Sequence, residues 1–398
     1  MTTRRNVLML AGSALVLAGC RESAPAVTGT SAPDVLLADS GRGLLRLGPF
    51  GEQVLGTAAA GFDGAHLFRA HDGGLERIRP ETGLSVLRTP LKDGWLPRVV
   101  ATDGRACALS RSGASDRPAA RPRTPLLIAG PDGEREYDLP GVIEPDAFTA
   151  DGTGLFVLDW LPATAPDHYR VRLLDLATGE IRPLSTRDKR AVPPGAEEQM
   201  RGDGRQAVLS ADRKMLFTLY THQPGHRHTR DLLSGRPGGA HAFVHVLHLV
   251  DGWAYCLDLP HPFGEGPVAG HALAADARNL FVADVNSGKL AYASPATLTI
   301  DRVVDVPVTR DVPAALALST DDRVLLGAGR TVTAVNRVSG AAADGWAVPG
   351  PVRGLALSRD GSRLHVGGPA GVTWLDARTG VPLGRTAVAG LTALRHVV

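Results

Sequence analysis

Cysteine is scarce. The 398-residue chain holds three, Cys20, Cys107 and Cys256, too few for a disulfide-stapled framework. Lysine is scarcer still in proportion, supplying only Lys92, Lys189, Lys214 and Lys289 among 43 basic residues. The N-terminal apolar run at 7–18 has twelve residues, short of the ~20 that a membrane-spanning helix needs. Also missing are a G-x-S-x-G elbow, an H-E-x-x-H pair, a C-x-x-C pair and an EF-hand loop. Ser287-Gly288-Lys289 is followed by Leu290 and lacks the glycine-rich run of a phosphate-binding loop. Hydrophobic content of 43% with 21% charge excludes wholesale disorder, so a folded body is expected without a named catalytic motif.

The first twenty residues carry an address. Arg4-Arg5 precede the apolar run, which has the length of a signal-peptide core. Leu17-Ala18-Gly19-Cys20 resembles a bacterial lipobox, in which the cysteine is lipidated and the chain is cut just before it. Thr3-Arg4-Arg5-Asn6-Val7-Leu8 is similar to a twin-arginine export signal, with Val7 where phenylalanine is usual. These resemblances imply an exported lipoprotein held by Cys20 on the outer face of the cytoplasmic membrane. Residues 1–19 are then the signal peptide, 20–33 the lipidated cysteine with a small, polar, proline-containing tether, and 34–398 a single domain. Processing removes two of the 43 basic residues and no acid, matching the 41 acidic residues and leaving zero formal charge. A nucleic-acid partner is not expected of such a chain, and the lipid is its only expected membrane link.

The body is a repeat. GFDGAHLFRA, ATDGRACALS, TADGTGLFVL, SADRKMLFTL, AADARNLFVA, STDDRVLLGA and SRDGSRLHVG place Asp63, Asp103, Asp151, Asp212, Asp276, Asp321 and Asp360 between apolar runs. Asp-Gly between apolar runs is a hairpin signal, since both residues tolerate tight-turn conformations. A small-residue strand lies upstream of each aspartate, and three more strands follow. That is the period of a β-propeller blade. Three short strands precede the first turn, at 35–38, 44–47 and 53–55, and an orphan strand follows the last blade at 391–398. Together they make an eighth blade closed by pairing of the N- and C-terminal strands, with seven blades as the alternative count. No helical run is expected after the signal peptide. Residues 358–367 and Trp374-Leu375-Asp376-Ala377-Arg378-Thr379-Gly380 resemble the YVTN, WD40 and quinoprotein-like propeller families, and the arginine bias is of the actinobacterial type. The adjacent cysteines and recurring tryptophans of quinoprotein enzymes are absent. Cys107 and Cys256 fall in the third and fifth blades, too far apart to join, and two inert free thiols are expected.

Function is expected on loops. The longest insertions, 111–123, 161–168 and 221–240, interrupt three adjacent blades between their second and third strands, and the 186–198 connection joins the same face. Eight of the 13 histidines lie between 222 and 271. His222, His226 and His228 offer three imidazoles within seven residues, a candidate zinc site. Strand alternation sets His245 and His248 on opposite faces. Arg201, Arg310 and Arg353, with Glu144, stand at starts of inner strands and are candidates to bind an anionic ligand at the axis. No other cofactor is expected. The leading expectation is a monomeric, non-enzymatic scaffold that binds an extracytoplasmic protein, peptide or glycan. The rival is a metal-dependent hydrolase or lyase using histidines of the 222–271 region.

Overall fold

Four of the seven repeat aspartates, Asp151, Asp212, Asp321 and Asp360, build their turns with a hydroxyl two residues before them, while Asp63, Asp103 and Asp276 cap backbone amides without such a hydroxyl. In 358–363, Asp360 Oδ1 accepts hydrogen bonds from Ser358 Oγ at 2.6 Å and from the Ser362 backbone at 3.0 Å. Gly361 supplies the positive φ of 71°, and the Arg363 amide returns to Ser358 Oγ at 2.9 Å. Thr149–Asp151 at 2.6 Å and Ser210–Asp212 at 2.7 Å repeat the device. The hydroxyl bond from Ser358 holds the Asp360 carboxyl far below its usual range. These aspartates are turn formers, as their spacing implies.

The computed structural model describes residues 31–398 apart from 114, 116, 132, 203, 204 and 344. Lipidation at Cys20 and the signal peptide lie outside the described residues. Eight antiparallel sheets form a ring. Blade 1 combines Leu36–Ser40, Gly43–Gly48 and Gly51–Gly56 with Leu391–Val397, its innermost strand. Blade 2 spans 58–90 and blade 3 spans 96–140. Blade 4 comprises Val142–Phe148, Gly154–Leu161, His168–Asp175 and Ile181–Pro183. Blade 5 comprises Gln206–Leu209, Met215–Tyr220, Phe243–His248 and Trp253–Asp258. Blades 6, 7 and 8 span 271–305, 314–347 and 355–387. The count of eight and the closure by terminal strands match the sequence expectation. Between neighbouring sheets lie the apolar clusters, with Phe156, Tyr169, Leu216 and Phe243 buried between blades 4 and 5.

Two features depart from expectation. Thr229–Ser234 is a six-residue α-helix inside the 221–240 insertion. Gly235 ends it in the left-handed region at φ 68°, which explains why so short a helix stops cleanly. Ser185–Thr186 pairs in parallel with Trp253–Asp258, so the outer strand of blade 5 is itself covered by a fifth strand. No helix among the described residues is long and apolar enough to cross a membrane.

Closure rests on more than the strand ladder. Leu36 pairs with Val397 and Ala38 with Leu394. Just before this strand, Asp34 takes a two-point grip from Arg363 of blade 8, with both N–O distances 2.9 Å. The same carboxylate lies 2.8 Å from Nε2 of His365, whose side chain is fully buried. Arg363 holds the Asp34 carboxyl below its usual value. Asp34→Ala strands a buried imidazole and should cost ~1–3 kcal/mol, read as a lowered unfolding midpoint. Because the folded carboxyl titrates lower than the unfolded one, this contribution is present above about pH 3.8 and is lost as pH falls through the folded value. An Asp34→Ala protein as stable as the parent would remove Asp34 from the closure.

Candidate metal centre between blades 4 and 5

The connection from blade 4 to blade 5 carries the doublet Glu197-Glu198, whose two side chains serve different partners. Glu197 turns to blade 4, where Arg172 grips it with two bonds of 2.8 and 2.7 Å and Arg170 adds one of 3.1 Å. Glu198 turns to blade 5. Two residues on, Met200 is fully buried and exchanges both backbone hydrogen bonds with Tyr169, at 2.9 and 2.8 Å. The Gln223 side chain clamps the Arg201 backbone from the 221–240 insertion, with bonds of 3.0 Å to the amide and 3.0 Å to the carbonyl. The connection and the insertion are thus held as one unit.

The insertion places two imidazoles over Glu198. His226 stacks on Phe243 at 4.4 Å between ring centroids and lies 4.7 Å from His228. Gly238 is required here, since a Cβ would stand 2.3 Å from the His226 carbonyl oxygen. His228 caps the short helix, its amide donating to Asp231 at 3.1 Å. Beneath them, His245 and Cys256 are cross-strand partners on adjacent strands of blade 5. Both therefore face the same side.

Five donors converge. Glu198 lies 3.3 Å from His228 Nδ1, 3.4 Å from His245 Nε2, 3.7 Å from His226 Nε2 and 3.3 Å from Cys256 Sγ. Atoms of Glu198, His228 and Cys256 all fall within 4.8 Å of one another. His226 Nε2 is buried and lacks a hydrogen-bond partner. Two zinc ligands at ~2.1 Å stand about 3.4 Å apart in a tetrahedron, so the spacings among Glu198, His228 and Cys256 suit an ion held by these three. On its far side, His228 Nε2 meets Asp258 at 2.5 Å, and Arg230 also pairs with Asp258. Asp258 is thus placed as the outer carboxylate that would orient the His228 imidazole toward an ion.

Electrostatics follow. Burial alone would push the Glu198 carboxyl up, but the imidazoles of His226, His228 and His245 reverse the sign and hold it well below its usual range. Burial works against protonation of His228, yet Asp258 and Glu198 together raise its pKa. Burial, then the Glu198 charge, drives the Cys256 thiol well up. The free site thus carries two carboxylates and a readily protonated imidazole, and a divalent cation would replace that proton. A cavity of about 610 Å³ adjoins the donors, walled by Leu233, Val192 and Tyr255, with Arg187 and Arg190 beside them.

The sequence-derived candidates divide. His226 and His228 enter the cluster. His222 joins a different trio, 6.1 Å from both His241 and His271 between ring centroids. Its Nε2 bonds the Gly266 carbonyl at 2.7 Å, and His241 Nε2 bonds that of Gly264 at 3.0 Å. These rings tie down the 259–270 connection. His245 and His248 do face opposite ways, His248 stacking on Trp253 at 4.6 Å. Arg201, Arg310 and Arg353 are exposed, and no hydrogen bond or ion pair joins them to one another among the described residues. Arg353 donates to the Leu391 carbonyl at 2.8 Å in the closing blade. Glu144 is buried and accepts from Trp160 Nε1 at 3.3 Å. Missed from sequence were Glu198, His245, Cys256 and Asp258 as members of one site. The signal available was the hairpin of 243–258, whose short turn sets His245 opposite Cys256.

The fold defines an eight-bladed propeller with a donor cluster between two blades. No family model matches the chain, and no curated protein matches it by sequence. Among solved structures it is similar to AztD from Citrobacter koseri, at 10% identity over 92% of this chain and 96% of that one, with TM-score 0.54. It is likewise similar to the apo form of Citrobacter koseri AztD, with the same identity and coverage and TM-score 0.55. Likeness at this identity concerns the propeller fold.

Both described thiols are free and buried. Cys107 is pushed up to about 12 by burial and touches no ionisable partner in the cluster, as expected of an inert thiol. Cys256 instead lines the cavity. A small neutral thiol reagent should therefore label Cys256 of the native protein before Cys107, as peptide mass mapping would show. Labelling of Cys107 first would contradict this placement.

Proposed function

We propose that this protein is an exported, lipid-tethered β-propeller that binds a transition-metal ion, zinc by the character of its donors, between blades 4 and 5. The observation that carries the reading is the buried, partnerless His226 Nε2 aimed at a carboxylate that two further imidazoles and a thiol also surround. Mixed imidazole, thiolate and carboxylate donors suit zinc among the common divalent ions. Glu198, His228 and Cys256 are the mutually close donors that would hold the ion, with His226 and His245 beside the same carboxylate. The adjoining cavity gives the ion a way in and out. The lipobox-like Leu17-Ala18-Gly19-Cys20 supports export and tethering.

Metal content of the untagged full chain, measured by mass spectrometry after incubation with zinc and removal of the excess, should approach one ion per chain. His226→Ala combined with His228→Ala should abolish it. Asp258→Asn should weaken binding ~10–100-fold by freeing the His228 ring. A chain that takes up no metal, or a double variant that keeps it, would sink the reading.

Affinity should also fall as pH is lowered. Protons compete for His228, whose pKa stands above the usual 6.5, so the loss should begin on the alkaline side of that value. The metal-free fold should show the opposite trend there. Protonated His228 between two carboxylates stabilises it fully below about 6.5, and this is lost as pH rises through the folded value. Thermal melts with and without zinc across pH 5.5–8 would register both slopes.

A further inference from the structure

In blades 2–8 the turn between the first and second strands and the turn between the third and fourth open on one face of the ring, and in blade 1 the chain entry and the turn between third and fourth strands lie on that same face. Backbone bonds tie the two kinds of turn together: Leu249 to Lys214 at 2.7 Å, Arg337 to Asp322 at 2.8 Å, Ala377 to Ser362 at 2.9 Å and Leu176 to Thr153 at 3.0 Å. The metal-site insertion, between second and third strands, opens on the other face.

Exposed apolar side chains are normal singly. Here their placement is uneven. Phe50 is 99% exposed, Val338 78%, Leu84 65%, Val250 56% and Val381 55%, and all five sit in turns between third and fourth strands. Four of these turns belong to consecutive blades, 7, 8, 1 and 2. The chain enters the ring in the middle of that arc and on that face, because Asp34 is gripped by Arg363 and His365 beside the first turn of blade 8 before Leu36 starts blade 1. Cys20 is 14 residues away, a contour of at most ~50 Å.

We propose that this face rests on the lipid bilayer, with Phe50, Leu84, Val338 and Val381 dipping into the interface and the metal-site face turned away from it. The proposal rests on the lipid tether of the proposed function. A bilayer is the occupant that fits, because the apolar tips spread along an arc of four blades, as a plane would touch them, and because the tether delivers the ring to that plane. The processed chain has no net formal charge, so zwitterionic lipid should suffice.

The test uses the lipidated chain in phosphatidylcholine vesicles whose acyl chains carry bromine, a short-range quencher of tryptophan. Phe50→Trp should add emission that is blue-shifted and strongly quenched. Leu233→Trp, on the opposite face, should add emission that the bromine leaves unchanged. Equal quenching at both positions, or none at Phe50→Trp, overturns the docking. Flotation of the parent and of Cys20→Ser separates the two readings. A parent that does not float defeats the tether and the docking with it. A parent that floats through Cys20 while Phe50→Trp stays unquenched defeats the docking alone.

Discussion

A ring of sheets must close on its own ends, and the remaining architecture depends on how this one does so. Leu391–Val397 enters as the innermost strand of a blade whose other three strands were laid down first. An unclosed ring would leave a free strand edge, which invites pairing with another chain. The pairing of Leu36 with Val397 removes that edge. Asp34 then couples the closed blade to blade 8 through a partly buried ion pair. Once closed, the ring fixes each blade against its neighbours, and loops can diverge without disturbing it.

That rigidity allows a costly arrangement between blades 4 and 5. Burying Glu198 among apolar side chains would be unfavourable unless it were compensated. Three imidazoles supply the compensation, and they can do so only because two loops from different blades are locked in register. Met200 locks one to blade 4, Gln223 locks the loops to each other, and Glu197 absorbs the charges of Arg170 and Arg172. The doublet thus divides its work, one carboxylate anchoring the connection and the other available to an ion.

Much of the fold was legible in sequence because its signals are local. An aspartate that caps its own turn, helped in four of the seven copies by a hydroxyl two residues before it, specifies a turn within six residues, and the seven turns specify the blades. The spare strands at the two ends, Leu36–Ser40 and Leu391–Val397, specify the closure by simple counting. The helix Thr229–Ser234 escaped because it rests on the Gly235 stop and on polar contacts from His228 and Arg230 to blade 5, not on an apolar stripe. The site was half legible. His226 and His228 stood out by spacing, but spacing alone also drew in His222, whose ring turns to the carbonyls of 259–270. Cys256 and Asp258 meet these histidines only where the insertion folds back over its own blade, and Glu198 arrives from the connection between blades 4 and 5, which no local pattern reports. His245 could have been matched to Cys256 from hairpin register.

The closing strand also sets a clock. Until Leu391–Val397 has been synthesised, the chain has seven blades and three strands of another, and Leu36–Ser40 lacks its inner partner. Contacts spanning nearly the full length are the slowest to form. An incomplete chain is therefore an open crescent whose sheet edge stays exposed until the two terminal strands pair. A chain that stopped short of Leu391–Val397 would carry an edge ready to pair with another chain, although every residue of the candidate metal site lies before that strand.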